Sequence, residues 1–131
     1  MAFDLAPEQQ RDFDRRLLAD ALQRSVPVLG ICYGMQLLAD IRGGTLVYDI
    51  PTDRPQAGPH RLPETDGRHA LQIEPGTRLY EALGTNPPPV NSLHHQGVES
   101  PGTGMRIAAR AEDGLIEEWD PQYGGPTWYC P

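Results

Sequence analysis

The chain has 131 residues, 11 basic and 18 acidic groups and a formal net charge of −7, a length that suits one domain with a modest core. All 11 basic residues are arginine, which excludes a lysine Schiff base, a phosphate-loop lysine or a lysine general base, because arginine does not deprotonate usefully. A net negative chain without a basic cluster is also a poor binder of nucleic acid or of an anionic membrane surface.

From Pro7 to Arg24, apolar Phe13, Leu17, Leu18, Ala21 and Leu22 recur at helical spacing opposite a polar face, which predicts an amphipathic surface helix. Val26-Pro27 breaks it. The run from Val28 to Cys32 has no polar alternation and reads as a short strand covered on both faces. A second helix follows Gly34, with Met35, Leu37, Leu38 and Ile41 turned inward and Gly43-Gly44 as its stop. Thr45 to Ile50 reads as a strand, and Pro51 to Gly67 as a long polar loop of the kind that carries function or moves. His69 to Glu74 alternates as a strand, Thr77 to Leu83 is a short helix stopped by Gly84, and three prolines lead into Val90-Asn91-Ser92. Met105 to Ala111 and Leu115 to Trp119 flank Asp113-Gly114, a two-residue hairpin signal, and the hairpin Asp113 to Pro121 has an acidic outer face. No stretch approaches 18 apolar residues and the N-terminus is not built as a signal peptide. With two cysteines and no Cys-x-x-Cys spacing, the default setting is a reducing cytoplasm.

The densest chemical signal is Gly30-Ile31-Cys32-Tyr33-Gly34 between a strand and a helix. Glycines two residues either side permit a tight turn that lifts the Cys32 side chain clear of the sheet, as in a nucleophile elbow. The thiol then sits at a helix N-terminus, where free amides and the helix dipole favour thiolate, and the Tyr33 amide can donate to a developing oxyanion. A lone cysteine is more commonly a small buried hydrophobe; the paired glycines and the strand-to-helix setting favour the elbow. The second signal is Val90 to Val98, with His94 and His95 after a short strand, where loop side chains can hold a ligand. A metal site is not expected, because loop and strand separate His60 and His69 from the His94–His95 pair.

Taken in order, GICYGMQ from Gly30 to Gln36, GGTL from Gly43 to Leu46, VNSLHHQ from Val90 to Gln96 and DGLIE from Asp113 to Glu117 resemble the class I glutamine amidotransferase superfamily, most of all its gamma-glutamyl-gamma-aminobutyrate hydrolase group. The resemblance runs from about Phe13 to Trp119. It implies a three-layer α/β architecture, flavodoxin-like, with an open and mostly parallel sheet, present here as one partial domain over residues 1–131. It further implies that Cys32 attacks a γ-glutamyl amide carbonyl, that Tyr33 supplies an oxyanion amide, and that Gln36, His95 and Gln96 line the glutamyl site. A γ-glutamyl thioester would form and water would release glutamate, with no cofactor and a small-molecule γ-glutamyl amide as the partner.

Two departures from the family pattern stand out. Further strand and helix units precede the elbow in family members, one of them carrying the second oxyanion donor, and a catalytic histidine followed by Pro-Glu lies on a strand after the hairpin. Here Pro121 to Pro131 reads PQYGGPTWYCP, with no histidine and no glutamate. The expectation is a chain lacking both ends of the family domain, impaired in catalysis and prone to self-association through exposed sheet edge. The alternative is a non-catalytic fragment or degenerate domain that binds a ligand or partner. Replacement of the missing base by His94 or His95 requires an imidazole within hydrogen-bond reach of Cys32.

Overall fold

In the computed structural model the described residues are 6–62, 67–85 and 87–122, together with the backbone of 128–130. The element order is α1 (Glu8–Gln23), β1 (Leu29–Ile31), α2 (Tyr33–Ile41), β2 (Thr45–Val47), α3 (Ile50–Asp53), β3 (Arg68–His69), β4 (Leu71–Ile73), α4 (Arg78–Leu83), β5 (Val90–Asn91), β6 (Gly97–Ser100), β7 (Met105–Ala111), β8 (Ile116–Pro121) and β9 (Trp128–Cys130). A seven-stranded sheet runs β1-β9-β8-β6-β2, and β7 joins it through β8 and carries β4 on its other side. Strands β3 and β5 form a separate two-stranded ladder.

The α/β class is as the sequence implies, but parallel pairing is confined to β1 with β9. The other described ladders are antiparallel, which corrects the expectation of a mostly parallel sheet. The physical reason is connection length: parallel neighbours need a crossover, whereas β7 and β8 are joined by a tight turn. That turn is also one residue longer than expected. Ala111 N–H donates to the Leu115 carbonyl, Gly114 N–H donates to the Ala111 carbonyl, and Gly114 takes φ +89°, so Glu112 to Gly114 form a three-residue loop ending in a left-handed glycine.

The main core packs Met35, Leu38 and Ala39 of α2 against Val98, Ile116 and Trp119, with Leu18 and Leu22 of α1 at its border. A second cluster sets Leu79 of α4 on Ala108 and Ala109 of β7, beside Leu71 and Ile73. Helix α4 is capped by Thr77, whose hydroxyl accepts from Tyr80 N–H at 3.2 Å. Only part of the predicted apolar face of α1 is used: Phe13 and Leu17 are 60% and 58% exposed.

Strand β1 departs from the sequence reading. Gly30 is buried, but Leu29 and Ile31 are each 59% exposed, so the strand is not covered on both faces. It pairs only with β9 and stands at the sheet edge among the described strands. The apolar run is that of a central strand, while the described residues cover it as an edge strand.

Strand β8 departs in the opposite direction. Glu117, Glu118 and Asp120 are buried, with Glu117 only 2% exposed, so the acidic outer face read from the sequence does not exist. β8 lies between β6, β7 and β9, and its carboxylates are met by polar partners rather than water. Asp120 accepts the Arg78 amide at 2.9 Å and the Arg106 guanidinium at 3.4 Å, as buried charge requires.

Candidate active site

Cys32 is the N-cap residue of α2, at φ +51° and ψ −108°. A side chain rarely adopts this left-handed backbone, and such strain concentrates at functional sites. The two elbow glycines serve differently. A Cβ on Gly30 would lie 2.8 Å from Leu38 Cδ1 and 3.0 Å from the Gly34 carbonyl, so glycine there lets β1 and α2 approach closely. At Gly34 a Cβ would meet nothing within 4 Å; the strain of the turn falls on Cys32 rather than on its downstream glycine, contrary to the sequence argument.

Gln36 N–H donates to the Cys32 carbonyl at 3.1 Å and opens the helical ladder, so the amides of Tyr33, Gly34 and Met35 precede any intrahelical acceptor. These amides, Tyr33's among them, form the polar end of α2 beside an exposed, free thiol. A cleft of about 460 Å³ is lined by Cys32, Tyr33, Gln36, Leu93, His94, His95 and Gln96. Every side chain named from the sequence as nucleophile, oxyanion neighbour or substrate contact therefore borders one space. The His95 carbonyl accepts Ile50 N–H at 2.7 Å, which ties the histidine loop to α3. That helix begins where the sequence reading continued a strand. The Asp53 carboxylate accepts the amides of Tyr48 and Asp49 at 3.1 and 3.0 Å, turning the chain after Val47.

Behind Cys32 lies a second cavity of about 420 Å³, whose walls include Ile31, Cys32, Leu71, Leu79, His94 and Glu117. It opens Cys32 to an apolar chamber with one carboxylate–imidazole wall. Neither histidine of the pair is hydrogen-bonded to Cys32. His94 Nδ1 meets the Gln96 carbonyl at 2.8 Å, and its Nε2 faces Glu117 Oε2 at 3.5 Å. His95 lines the Cys32 cleft and makes no side-chain hydrogen bond among the described residues.

The structure brings together what the sequence reading kept apart. His60, His69 and His94 converge on Glu117: His60 Nδ1 lies 3.0 Å and His69 Nε2 3.5 Å from its Oε1, and the His60 ring centroid is 5.3 Å from that of His69 and 5.1 Å from that of His94. The long loop after Pro51 delivers His60, whose Nε2 is 2.8 Å from Asp113 Oδ2. Burial opposes the charge on Glu117, Asp113 and His60, yet attraction to their partners wins. It holds Glu117 down to about 2 through His60, His94 and His69, lowers Asp113 through His60, and keeps the His60 imidazole above its ordinary range. The expectation of no metal site rested on the separation of these histidines, and that ground is gone. The signal was present in four polar residues of the right chemistry, but only the pairing of β3 with β5 and the burial of β8 assemble them.

β9 runs parallel to β1 with Ile31 opposite Cys130. A strand therefore lies beside the elbow where the resemblance sets the catalytic histidine, and in this chain it reads Trp-Tyr-Cys. Residues 123–127 and 131 of that segment lie outside the described residues.

A strained cysteine between a strand and a helix N-terminus, set in an α/β sheet, has the backbone geometry of a nucleophile elbow. The chain belongs to the Peptidase C26 family, which matches residues 4–123. It is 35% identical over 112 residues to the protein NtpR of Enterococcus hirae, covering 82% of this chain and 46% of that one. It is 35% identical over 109 residues to the gamma-glutamyl-gamma-aminobutyrate hydrolase PuuD of Escherichia coli, covering 74% of this chain and 41% of that one. The chain thus spans less than half the length of either relative. Its fold is similar to that of a glutamine amidotransferase from Thermotoga maritima, with a TM-score of 0.71, 16% identity, and coverage of 98% of this chain and 51% of that one. Putative glutamine amidotransferases and gamma-glutamyl-gamma-aminobutyrate hydrolases are among its relatives. No described helix is long and apolar enough to cross a membrane.

Proposed function

We propose that the chain carries the acylation half of a γ-glutamyl amide hydrolase, with Cys32 as nucleophile. The observation that supports this most is the Cys32 backbone at φ +51° at the start of α2, bordering a cleft shared with Gln36, His95 and Gln96. Thiolate sulfur adds to the γ-carbonyl, and the carbonyl oxygen takes up negative charge beside the Tyr33 amide. Collapse expels the amine and leaves a γ-glutamyl thioester, and water then releases glutamate and restores the thiol. Gln36, His95 and Gln96 hold the glutamyl portion by its polar end.

The weak step is proton transfer. The departing amine needs a proton, and neither His94, turned to Gln96 and Glu117, nor His95 is hydrogen-bonded to Cys32. The chain is accordingly slow in turnover and competent mainly toward electrophiles that need no leaving-group protonation. The second reading, a non-catalytic ligand- or partner-binding module, draws on the same lack of a histidine hydrogen-bonded to Cys32. The partner chemistry in either case is a small γ-glutamyl amide. The exposed apolar residues of α1 and β1 favour self-association, and the proposed setting is cytoplasmic.

The test is glutamate release from γ-glutamyl-γ-aminobutyrate and from glutamine, with Cys32→Ala as the reference. Slow release above that reference is the expected result. Release equal to the reference, together with no thioester trapped on acid quench, overturns the acylation reading in favour of the binding module.

A further inference from the structure

The buried cluster behind the Cys32 cleft has a pattern of protons that points to a cation. His60 Nε2 lies 2.8 Å from the Asp113 carboxylate, His69 Nδ1 3.1 Å from the Ala70 carbonyl, and His94 Nδ1 2.8 Å from the Gln96 carbonyl. Each partner can only accept, so each of these ring nitrogens carries the N–H. In a neutral imidazole the other nitrogen then presents a lone pair. Those other nitrogens are His60 Nδ1, His69 Nε2 and His94 Nε2, and all three face Glu117. These three nitrogens and Glu117 Oε1 are buried, and the close contact that His60 Nδ1 makes, at 3.0 Å, is with that same oxygen. Between neutral imidazoles and a carboxylate these contacts set lone pair against lone pair, an arrangement that costs stability unless a proton or a cation lies between them. A proton on His60 relieves one nitrogen and leaves those of His69 and His94.

We propose that His60 Nδ1, His69 Nε2 and Glu117 Oε1, with His94 Nε2 at the second oxygen of Glu117, form a binding site for one divalent transition-metal ion of the zinc class. The three principal donor atoms lie within 4.8 Å of one another. Tetrahedral ligands at zinc–nitrogen and zinc–oxygen distances place neighbouring donors about 3.3 Å apart, and the separations from Glu117 are 3.0, 3.5 and 3.5 Å. Two imidazoles and a carboxylate select a transition metal over magnesium or calcium, which prefer all-oxygen shells. The outer contacts fit as well: a ligating histidine commonly donates its other N–H to a carboxylate or carbonyl, which fixes the ring, and all three rings do so here. The ion would clasp the loop carrying His60, strand β3, the turn after β5 and strand β8. Because His94 and Glu117 also wall the Cys32 cavity, it would fix the loop that borders the cleft.

The test uses the 131-residue chain stripped by chelator, titrated with Zn²⁺, Co²⁺ and Mg²⁺ by calorimetry, with cobalt absorption followed in parallel. One Zn²⁺ or Co²⁺ per chain, no comparable Mg²⁺ binding, and at least about a tenfold loss of affinity in His69→Ala and in Asp113→Asn are expected. His69 is more open to solvent than Glu117, so it is the milder of the two positions to replace. His69→Cys should retain Co²⁺ and add a sulfur-to-cobalt absorption band, and Cys32→Ala should bind as the parent does. Absence of stoichiometric binding, absence of the sulfur band, or binding lost in Cys32→Ala but kept in His69→Ala overturns the site.

Discussion

Replacing Cys32 by glycine and by alanine separates the strain of the elbow from the chemistry of the thiol. Alanine keeps the Cβ that makes φ +51°, ψ −108° unfavourable, whereas glycine removes it. Backbone held in such a region costs about 1–3 kcal/mol, and glycine gives back up to about 1 kcal/mol through the greater freedom of the unfolded chain. The balance makes Cys32→Gly more stable than Cys32→Ala by about 1 kcal/mol, or roughly 3–4 °C in melting temperature at this length. Cys32 is exposed, so loss of the sulfur itself contributes little packing energy to either variant. Urea unfolding of the parent and both variants measures the difference, with Ala19→Gly within α1 as the internal contrast. There glycine should cost about 1 kcal/mol. If Cys32→Gly is the less stable of the two by the same amount as in the helix, Cys32 is not strained and the elbow argument fails.

Three other outcomes follow from the geometry. In metal-free protein, the Glu117 carboxyl is held at about 2 against an ordinary 4.5, a lowered value, so its contribution is complete above the unfolded value and is lost as the pH falls from about 5 toward 2. The size is about 3 kcal/mol; Glu117→Gln should flatten that part of the pH–stability curve, and parallel curves for parent and variant would contradict the pairing. A Cβ on Gly44 would come within 2.2 Å of the Ser100 carbonyl and 2.9 Å of the Ala39 carbonyl, so Gly44→Ala should destabilise by about 3 kcal/mol through forced separation of β6 from the end of α2; a denaturation midpoint equal to the parent's would show that the backbone gives way freely. Gln36→Ala and His95→Ala should each slow γ-glutamyl labelling of Cys32 while leaving its reaction with iodoacetamide unchanged, and equal slowing of both reagents would assign these residues to thiol activation rather than substrate contact.

The sequence is informative where local chemistry decides. Alternation and glycine punctuation place α1, α2, α4 and the β7–β8 pair within a residue or two, and the flanking glycines locate Cys32 between strand and helix. It misleads where burial is set by distant pairing. Leu29 and Ile31 have the composition of a covered strand, but coverage depends on what lies beside β1. Glu117, Glu118 and Asp120 have the composition of a wet face, but β8 lies inside the sheet. His60, His69 and His94 are far apart along the chain, and only the closure of β3 on β5 and of the Pro51–Leu62 segment over Asp113, whose Oδ2 accepts the Gly58 amide at 2.9 Å, sets them around one carboxylate. Short helix α3 spans four residues, too few for any periodic signal.

The proposed function turns on Cys32 being an organised nucleophile in a γ-glutamyl site. Incubation of the chain with a γ-glutamyl chloromethyl ketone, followed by intact and peptide mass spectrometry, measures it directly. One adduct per chain on Cys32, none on Cys130, and protection by excess glutamine is the predicted result; equal labelling of the two cysteines, or labelling indifferent to glutamine, would contradict it.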